Sequence, residues 1–353
     1  MMDALNNKCP ACGADILFNP ATQLWECAYC SSKFTLEEMN RSTNPEVVQP
    51  EANMVDQLLP EDTIGDVDLY RCKNCGAEIM ADQTTTATFC VYCGSAAILK
   101  ERILNGRAPN YIIPFKTTKE DAINGFKKIT KGKLLMPKSF KAVNNIEKIS
   151  GIYIPFWAYD LEANGEVEFE ASDTKTWNDS KYKYKKVDRY SIRKSGHFDF
   201  LKVLADASTR FPDDLMDSLE PFDYSDLVSY NHAYLSGFLA DKYDVSEMEC
   251  LQRVTGRTKD TAVDLMQKTV GHSEQKVINN GLRVSSRYTH YIMLPVWLLN
   301  IKHKDKTYTF AMNGQTGKMV GNIPIGLKET IMWSIIFFVI LFVIGLIFVL
   351  VVL

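Results

Sequence analysis

Eight of the nine cysteines in this chain fall into four Cys-x-x-Cys pairs, and the pairs repeat. Cys9, Cys12, Cys27 and Cys30 form one set. Cys72, Cys75, Cys90 and Cys93 form the other, each 63 residues after its counterpart. Each set reads C-x2-C-x14-C-x2-C. Two knuckles of this kind wrap four soft, charged thiolates around one ion, the tetrahedral arrangement of a structural zinc. The spacing predicts two zinc ribbons, at residues 8–36 and 70–100, each holding one Zn2+ with four protein ligands. Such a coordination sphere is closed, so neither zinc is expected to be catalytic. Glycine follows the second cysteine in Cys12-Gly13, Cys75-Gly76 and Cys93-Gly94 and permits the φ > 0 turn that aims backbone amides at sulfur. Cys30-Ser31 departs from that pattern.

The thiols also constrain the compartment. All-thiolate metal sites are expected where disulfides do not persist, in a reducing environment. The ninth cysteine, Cys250, stands in a probable helix and reads as a small buried apolar residue.

The far end of the chain has the opposite character. From Ile331 to Leu353, 23 residues carry no charge. As a helix they reach about 34 Å, enough to cross a hydrocarbon core of roughly 30 Å. Lys302, Lys304, Lys306, Lys318 and Lys328 lie on the N-terminal flank, so the positive-inside rule puts the bulk of the chain in the cytoplasm. Met1 to Lys8 is polar and has no apolar core of a signal peptide. The expectation is a single-pass, tail-anchored protein of the cell membrane, with the bilayer as partner through residues 331–353.

The formal net charge of -3 conceals an uneven distribution. From Glu37 to Asp68 there are nine acidic residues against Arg41 alone, with Pro45, Pro50 and Pro60 among them. Residues 37–69 therefore read as a flexible acidic linker. Residues 110–325 read as an α+β domain with mainly antiparallel strands. Thr118 caps an expected helix with Ala122, Phe126 and Ile129 on one face. Helical patterns recur at 213–219, in short pieces over 224–241, and over 245–270 with a break near Gly256. Asn164-Gly165, Asn280-Gly281 and Asn313-Gly314 are hairpin signals. Pro155 and Trp157 are matched by Pro295 and Trp297 at an offset of 140. This is either an internal duplication or two packed strands, which the prolines would place at a sheet margin.

Motifs for catalysis are missing from the sequence. It has no phosphate-binding G-x-x-x-x-G-K-[ST], no HExxH and no G-x-S-x-G, and it points to no small-molecule substrate. The most basic stretch is Lys181, Lys183, Lys185 and Lys186, followed by Arg189. In a strand, Tyr182 and Tyr184 would share one face and Lys181, Lys183 and Lys185 the other. That is first the pattern of a solvated face over packed tyrosines; a contact for nucleic acid or for anionic lipid is the alternative. Neither ribbon is strongly basic, which favours a protein partner for the ribbons over phosphate contacts.

Beyond the two ribbons, several segments carry a resemblance: YIIPFK from Tyr111, GIYIPFWAYD from Gly151, and SLEPFDYSDLVSYNHAYLSGFLADKYDV from Ser218. LPVWLLN from Leu294, KTYTFAMNGQTGKMVG from Lys306 and the terminal apolar helix extend it. Together they resemble a bacterial family of tail-anchored double zinc-ribbon proteins. Its members are labelled TFIIB-type zinc ribbon-containing proteins, and many carry the name of the replication-restart helicase PriA. The resemblance covers nearly the full chain and implies a metal-ligand role for the eight paired cysteines. The helicase label implies DNA and ATP, and the ATP half has no motif here. Three functions stay open: a membrane-anchored scaffold or adaptor with structural zinc, a membrane-tethered nucleic-acid-binding protein, and an enzyme with an unfamiliar site in 110–325.

Overall fold

The computed structural model describes residues 8–43, 68–72, 75–81, 90–92, 98–102, 108–137, 148–303 and 306–352. Most of the expected linker (44–67) and Cys93 lie outside the described residues. In chain order the strands are β1 Ile16–Asn19, β2 Leu24–Cys27, β3 Lys33–Phe34, β4 Asp68–Cys72, β5 Glu78–Ala81, β6 Ile98–Arg102, β7 Tyr111–Ile112 and β8 Ser150–Asn178. Then follow β9 Lys183–Asp206, β10 Val228–Ser229, β11 Leu239–Asp241, β12 Glu274–Asn280, β13 Arg283–His303, β14 Lys306–Asn313 and β15 Met319–Gly321. The helices are α1 Leu36–Thr43, α2 Lys119–Thr130, α3 Asp213–Asp217, α4 Glu247–Gln267 and α5 Leu327–Val352.

Contacts divide the chain into two compact units, each assembled from separated segments. One comprises Met1–Pro155, Arg210–Lys242 and Met293–Leu353; the other comprises Phe156–Thr209 and Tyr243–Ile292.

In the first unit, β1, β2 and β3 form a small antiparallel sheet. A larger mixed sheet runs in the order β10-β7-β13-β8-β11-β5-β4-β6, and β14 and β15 continue from β13. β11 runs parallel to β8, while β13/β14, β14/β15, β4/β5 and β5/β11 are antiparallel. The central segments read as continuous apolar runs because both of their faces are covered: Ile152, Tyr153 and Ile154 of β8 and Leu294 and Val296 of β13 are fully buried. The paired Pro-Trp segments are thus central neighbours and not a sheet margin. Each proline stands at a joint in the hydrogen-bond ladder. The β8/β11 ladder ends at Tyr153 and the β8/β9 ladder begins at Phe156, with Pro155 between; the β13/β14 ladder begins at Val296, one residue after Pro295. A residue without an N–H costs none of these three ladders a bond there.

α2 begins with the expected cap: Thr118 and Asp121 form a capping box, and Ala122, Phe126 and Thr130 are buried. The segment 224–241 is helical only in short pieces. It holds two 3-10 turns, at Tyr224–Asp226 and His232–Leu235, with β10 and β11 beside them. The Asp223 and Asn231 side chains cap those turns, accepting from Ser225 N–H and Ala233 N–H. Asn313-Gly314 does turn the chain between β14 and β15, closed by Gly317 N–H on Asn313 O at 2.9 Å.

In the second unit, β8 and β9 pair antiparallel from Phe156↔Asp206 to Asn178↔Lys183. α4 covers one face with Ala262, Val263 and Met266 against Ala163, Val167, Phe169 and Ala171. Those four β8 residues are separated by even steps, so they lie on one side of a pleated strand. Asn164-Gly165 is not a turn, because β8 runs straight through it. Gly165 instead meets the Gly281 carbonyl, which a Cβ would approach to 2.6 Å. α4 is not broken at Gly256, where a Cβ would meet only open space. Cys250 is buried on this helix, as expected.

Candidate metal centres

The first ribbon is built from two tight turns that carry cysteines. In the turn from Cys9, Cys9 N–H donates to Ala14 O (2.7 Å) and Gly13 N–H to Cys9 O (2.8 Å). In the turn from Cys27, the same bonds recur: Cys27 N–H to Ser32 O (3.0 Å) and Ser31 N–H to Cys27 O (2.9 Å). The turn from Cys72 repeats them with Ala77 and Gly76. All three need a left-handed residue after the second cysteine, at Gly13 (φ 72), Ser31 (φ 59) and Gly76 (φ 73). Ser31 thus takes the glycine conformation at a steric cost that glycine does not incur.

These turns bring the sulfurs together. Cys9 Sγ lies 3.5 Å from Cys30 Sγ, and Cys12 Sγ lies 3.6 Å from Cys27 Sγ. All four fall within 4.8 Å of one another. A tetrahedron with metal–sulfur bonds of about 2.3 Å has edges of about 3.8 Å, so the donor set fits such an ion with little adjustment. In the second ribbon, Cys72, Cys75 and Cys90 meet the same limit, with Cys75 and Cys90 Sγ 3.7 Å apart. Two cysteine groups, of four and of three thiols among the described residues, are therefore placed to hold metal ions. Cys93, expected to be the fourth ligand of the second, lies outside the described residues.

The thiols are not equivalent. The first cysteine of each described knuckle is buried: Cys9, Cys27, Cys72 and Cys90. Cys12, Cys30 and Cys75 are exposed. The Ser32 hydroxyl and backbone amide beside Cys30 pull its thiol down to about 6. The Ala14 amide favours the Cys12 thiolate, but desolvation and the three neighbouring thiols prevail and push it up to about 12. Four adjacent thiols resist complete ionisation without a cation among them, so metal loading must release protons.

The repeat runs further than its cysteines. Lys8 pairs with Asp15 in the first ribbon, and Arg71 pairs with Glu78 at 2.6 Å in the second, 63 residues on. Ile16 and Ile79, which follow those carboxylates, are both fully buried. The signal was present in the sequence as KCPACGADI against RCKNCGAEI. These cations, with Lys33 on Glu26 (2.8 Å), are engaged within their own ribbons.

The way each ribbon joins the first unit was not legible from the spacing. The first docks through an aromatic plug. Trp25 and Phe18 are buried against Tyr234, and the Trp25 indole N–H donates to Ala233 O at 2.9 Å. Phe18 N–H donates to Ser236 O, and Gln23 Nε2 to Phe115 O. The second has β5 paired to β11 through Ile79↔Asp241 to Ala81↔Leu239, so its strands extend the main sheet. Asn300 Nδ2 donates to Val91 O, and Arg210 lies 5.4 Å over the Tyr92 ring while bonding the buried Asp241 at 2.6 Å.

The basic stretch belongs to the second unit. Lys183, Lys185 and Lys186 open β9, Lys181 lies in the preceding turn, and Arg189 stands opposite Ser172. All five are exposed. Tyr182 is in the turn and does not share a strand face with Tyr184. Tyr184 stacks on Trp177 at 5.5 Å and is 40% exposed, so the tyrosines cover no packed inner face.

α5 is long and apolar enough to cross a membrane, and none of its Leu327–Phe348 stretch is buried in the structure. No family model matches the chain, and no solved structure matches it. An uncharacterized protein of Bacillus subtilis (strain 168), YdjG, is 32% identical to it over 332 residues, 93% of this chain and 93% of that protein. At that identity and coverage, the chain belongs to the YdjG family.

Proposed function

We propose that this YdjG-family chain is a membrane-anchored scaffold or adaptor that presents a cytoplasmic surface to a protein partner. Two structural zinc ions fix its ribbons, through Cys9, Cys12, Cys27 and Cys30 and through Cys72, Cys75, Cys90 and Cys93. α5 holds it in the cell membrane, with lysines on the N-terminal flank facing the cytoplasm. The observation that carries this reading is the closed thiol set of the first ribbon, all of whose donors come from the protein. Such a site shapes a surface and leaves no coordination position for a substrate.

A surface of suitable kind borders that ribbon. A cleft of about 530 Å³ is lined by Leu17, Asn19 and Lys33 of the ribbon and by Lys119, Phe238 and Trp297 of the same unit. Its mixed apolar and charged lining matches the make-up of protein interfaces. The test places a photo-crosslinking amino acid at Leu17 in the full chain in native membranes. A discrete adduct that disappears when Lys33→Glu and Lys119→Glu are introduced supports the adaptor. Crosslinking to lipid alone, or a metal content below two zinc ions per chain, counts against it.

A further inference from the structure

The β8–β9 hairpin outreaches the sheet that supports it. The β12 ladder on β8 stops at Glu274↔Ser172. Beyond it, residues 173–178 of β8 pair only with 183–188 of β9 among the described residues. This bare arm extends roughly 20 Å at strand spacing. A two-stranded ribbon of this kind has no core of its own.

Its end is apolar and basic together. Trp177 stands directly opposite Tyr184, and the rings stack at 5.5 Å and 12°. Trp177 is 51% exposed and Tyr182, in the turn, 65%. Lys175 and Lys186 face each other on the same side as that aromatic pair. Like charges directly opposed across a ladder are unfavourable in water; Asp188 offsets Lys186 in part, and an anionic surface would relieve the rest. Lys181, Lys183, Lys185 and Arg189 add to the charge. The nearby carboxylates are already engaged. Asp179 accepts from Lys181 N, Tyr182 N and Tyr184 Oη (2.8, 2.7 and 3.0 Å) and closes the turn, while Asp188 lies 3.0 Å from Lys186.

We propose that the end of this arm is a contact site for the headgroup region of an anionic lipid bilayer. Trp and Tyr are the side chains that settle at the membrane interface, with an apolar body and a polar tip. Lysines extend past them to phosphate. The arm offers both in one cross-strand pair and its flanking residues, on a rigid turn. Nucleic acid would use the same lysines, but the ring faces of Trp177 and Tyr184 are stacked on each other instead of being open to bases. The proposal rests on the membrane-anchor reading for the constant proximity of a bilayer.

The test reconstitutes the full-length chain in vesicles of phosphatidylcholine, with or without phosphatidylglycerol, brominated on the acyl chains near the headgroup. The emission lost on Trp177→Phe reports the arm, and the remaining quenching reports Trp333 in α5. Expected is quenching of the Trp177 component with phosphatidylglycerol, little without it, and a shift towards the undocked arm of roughly fivefold for each of Lys175→Gln and Lys186→Gln. An unquenched Trp177 beside a quenched Trp333 overturns the proposal and leaves the anchor standing. An unquenched Trp333 overturns the anchor, while the Trp177 component still decides the arm. A Trp177 signal that ignores lipid but responds to single-stranded DNA at physiological salt overturns the proposal in favour of nucleic acid.

Discussion

The first ribbon and the β8–β9 arm contain the same local device in opposite settings. Each is an antiparallel hairpin with two aromatic rings paired across it, Phe18↔Trp25 in one and Trp177↔Tyr184 in the other. The ring separations are alike, 4.9 Å and 5.5 Å. Yet Trp25 is 1% exposed and Trp177 is 51% exposed. An aromatic cross-strand pair therefore does not declare its purpose. The buried pair joins a ribbon to the unit that carries it, and the exposed pair stays at the surface.

That contrast can be broken or sharpened by experiment. The largest effect is expected from metal loss. Cys27→Ala should melt the first ribbon, because zinc supplies ~10–16 kcal/mol of apparent folding free energy in isolated fingers. Trp25 emission should shift to the red while the Trp177 component, taken by difference with Trp177→Phe, stays put. A shift in both would mean that the hairpins are not independent. Next, Trp25→Ala should cost about 3–5 kcal/mol by denaturant unfolding, against less than about 1 kcal/mol for Trp177→Ala. Equal costs would abolish the distinction. Ser31→Gly should stabilise the first ribbon by about 0.5–1 kcal/mol, since glycine adopts φ 59 without a Cβ penalty; a loss would show that the Ser31 side chain has a use of its own.

The smallest effect is electrostatic and confined to the arm. His272 and the Ser273 amide hold the Asp173 carboxyl below its ordinary range at the arm's base. The Lys181 and Tyr182 amides and the Tyr184 hydroxyl do the same for Asp179 at its turn. A carboxyl lowered in the folded state contributes stability above its unfolded pKa of about 3.9 and loses it as pH falls below that value. Amide exchange within 173–188 should therefore hold steady from neutral pH to about pH 5 and accelerate as pH falls from there through about 3, after correction for intrinsic rates. Asp179→Asn should flatten that trend, and an unchanged slope would remove Asp179 from the turn's stabilisation.

Much of this was legible in the residues. Cysteine spacing placed the described thiols, Thr118 announced α2, and 23 uncharged residues announced α5. What spacing cannot encode is which surface an element meets. Asn164-Gly165 carries a strong turn signal locally, but Gly165 serves the close approach of the Gly281 backbone, a partner 116 residues away. Pro155 and Pro295 would disfavour central strands, but they stand where the β8/β11, β8/β9 and β13/β14 ladders end or begin and cost none of those three a bond. The arm's exposure was hidden for the same reason: alternation in 181–206 identifies a strand, but nothing in it tells where β12 stops covering its neighbour.

The passage from β15 to α5 has one further consequence. Only Asn322 to Gly326 separate Gly321 from Leu327, and the Gly326 N–H is tied to Leu135 O at 2.8 Å. Five residues fully extended span about 18 Å, and the tie shortens that. If α5 lies in a bilayer, as proposed, the first unit is held on a short leash close to its surface. On the proposed reading, a partner would have to come to the membrane surface, so its recruitment would be decided by its address as much as by its affinity.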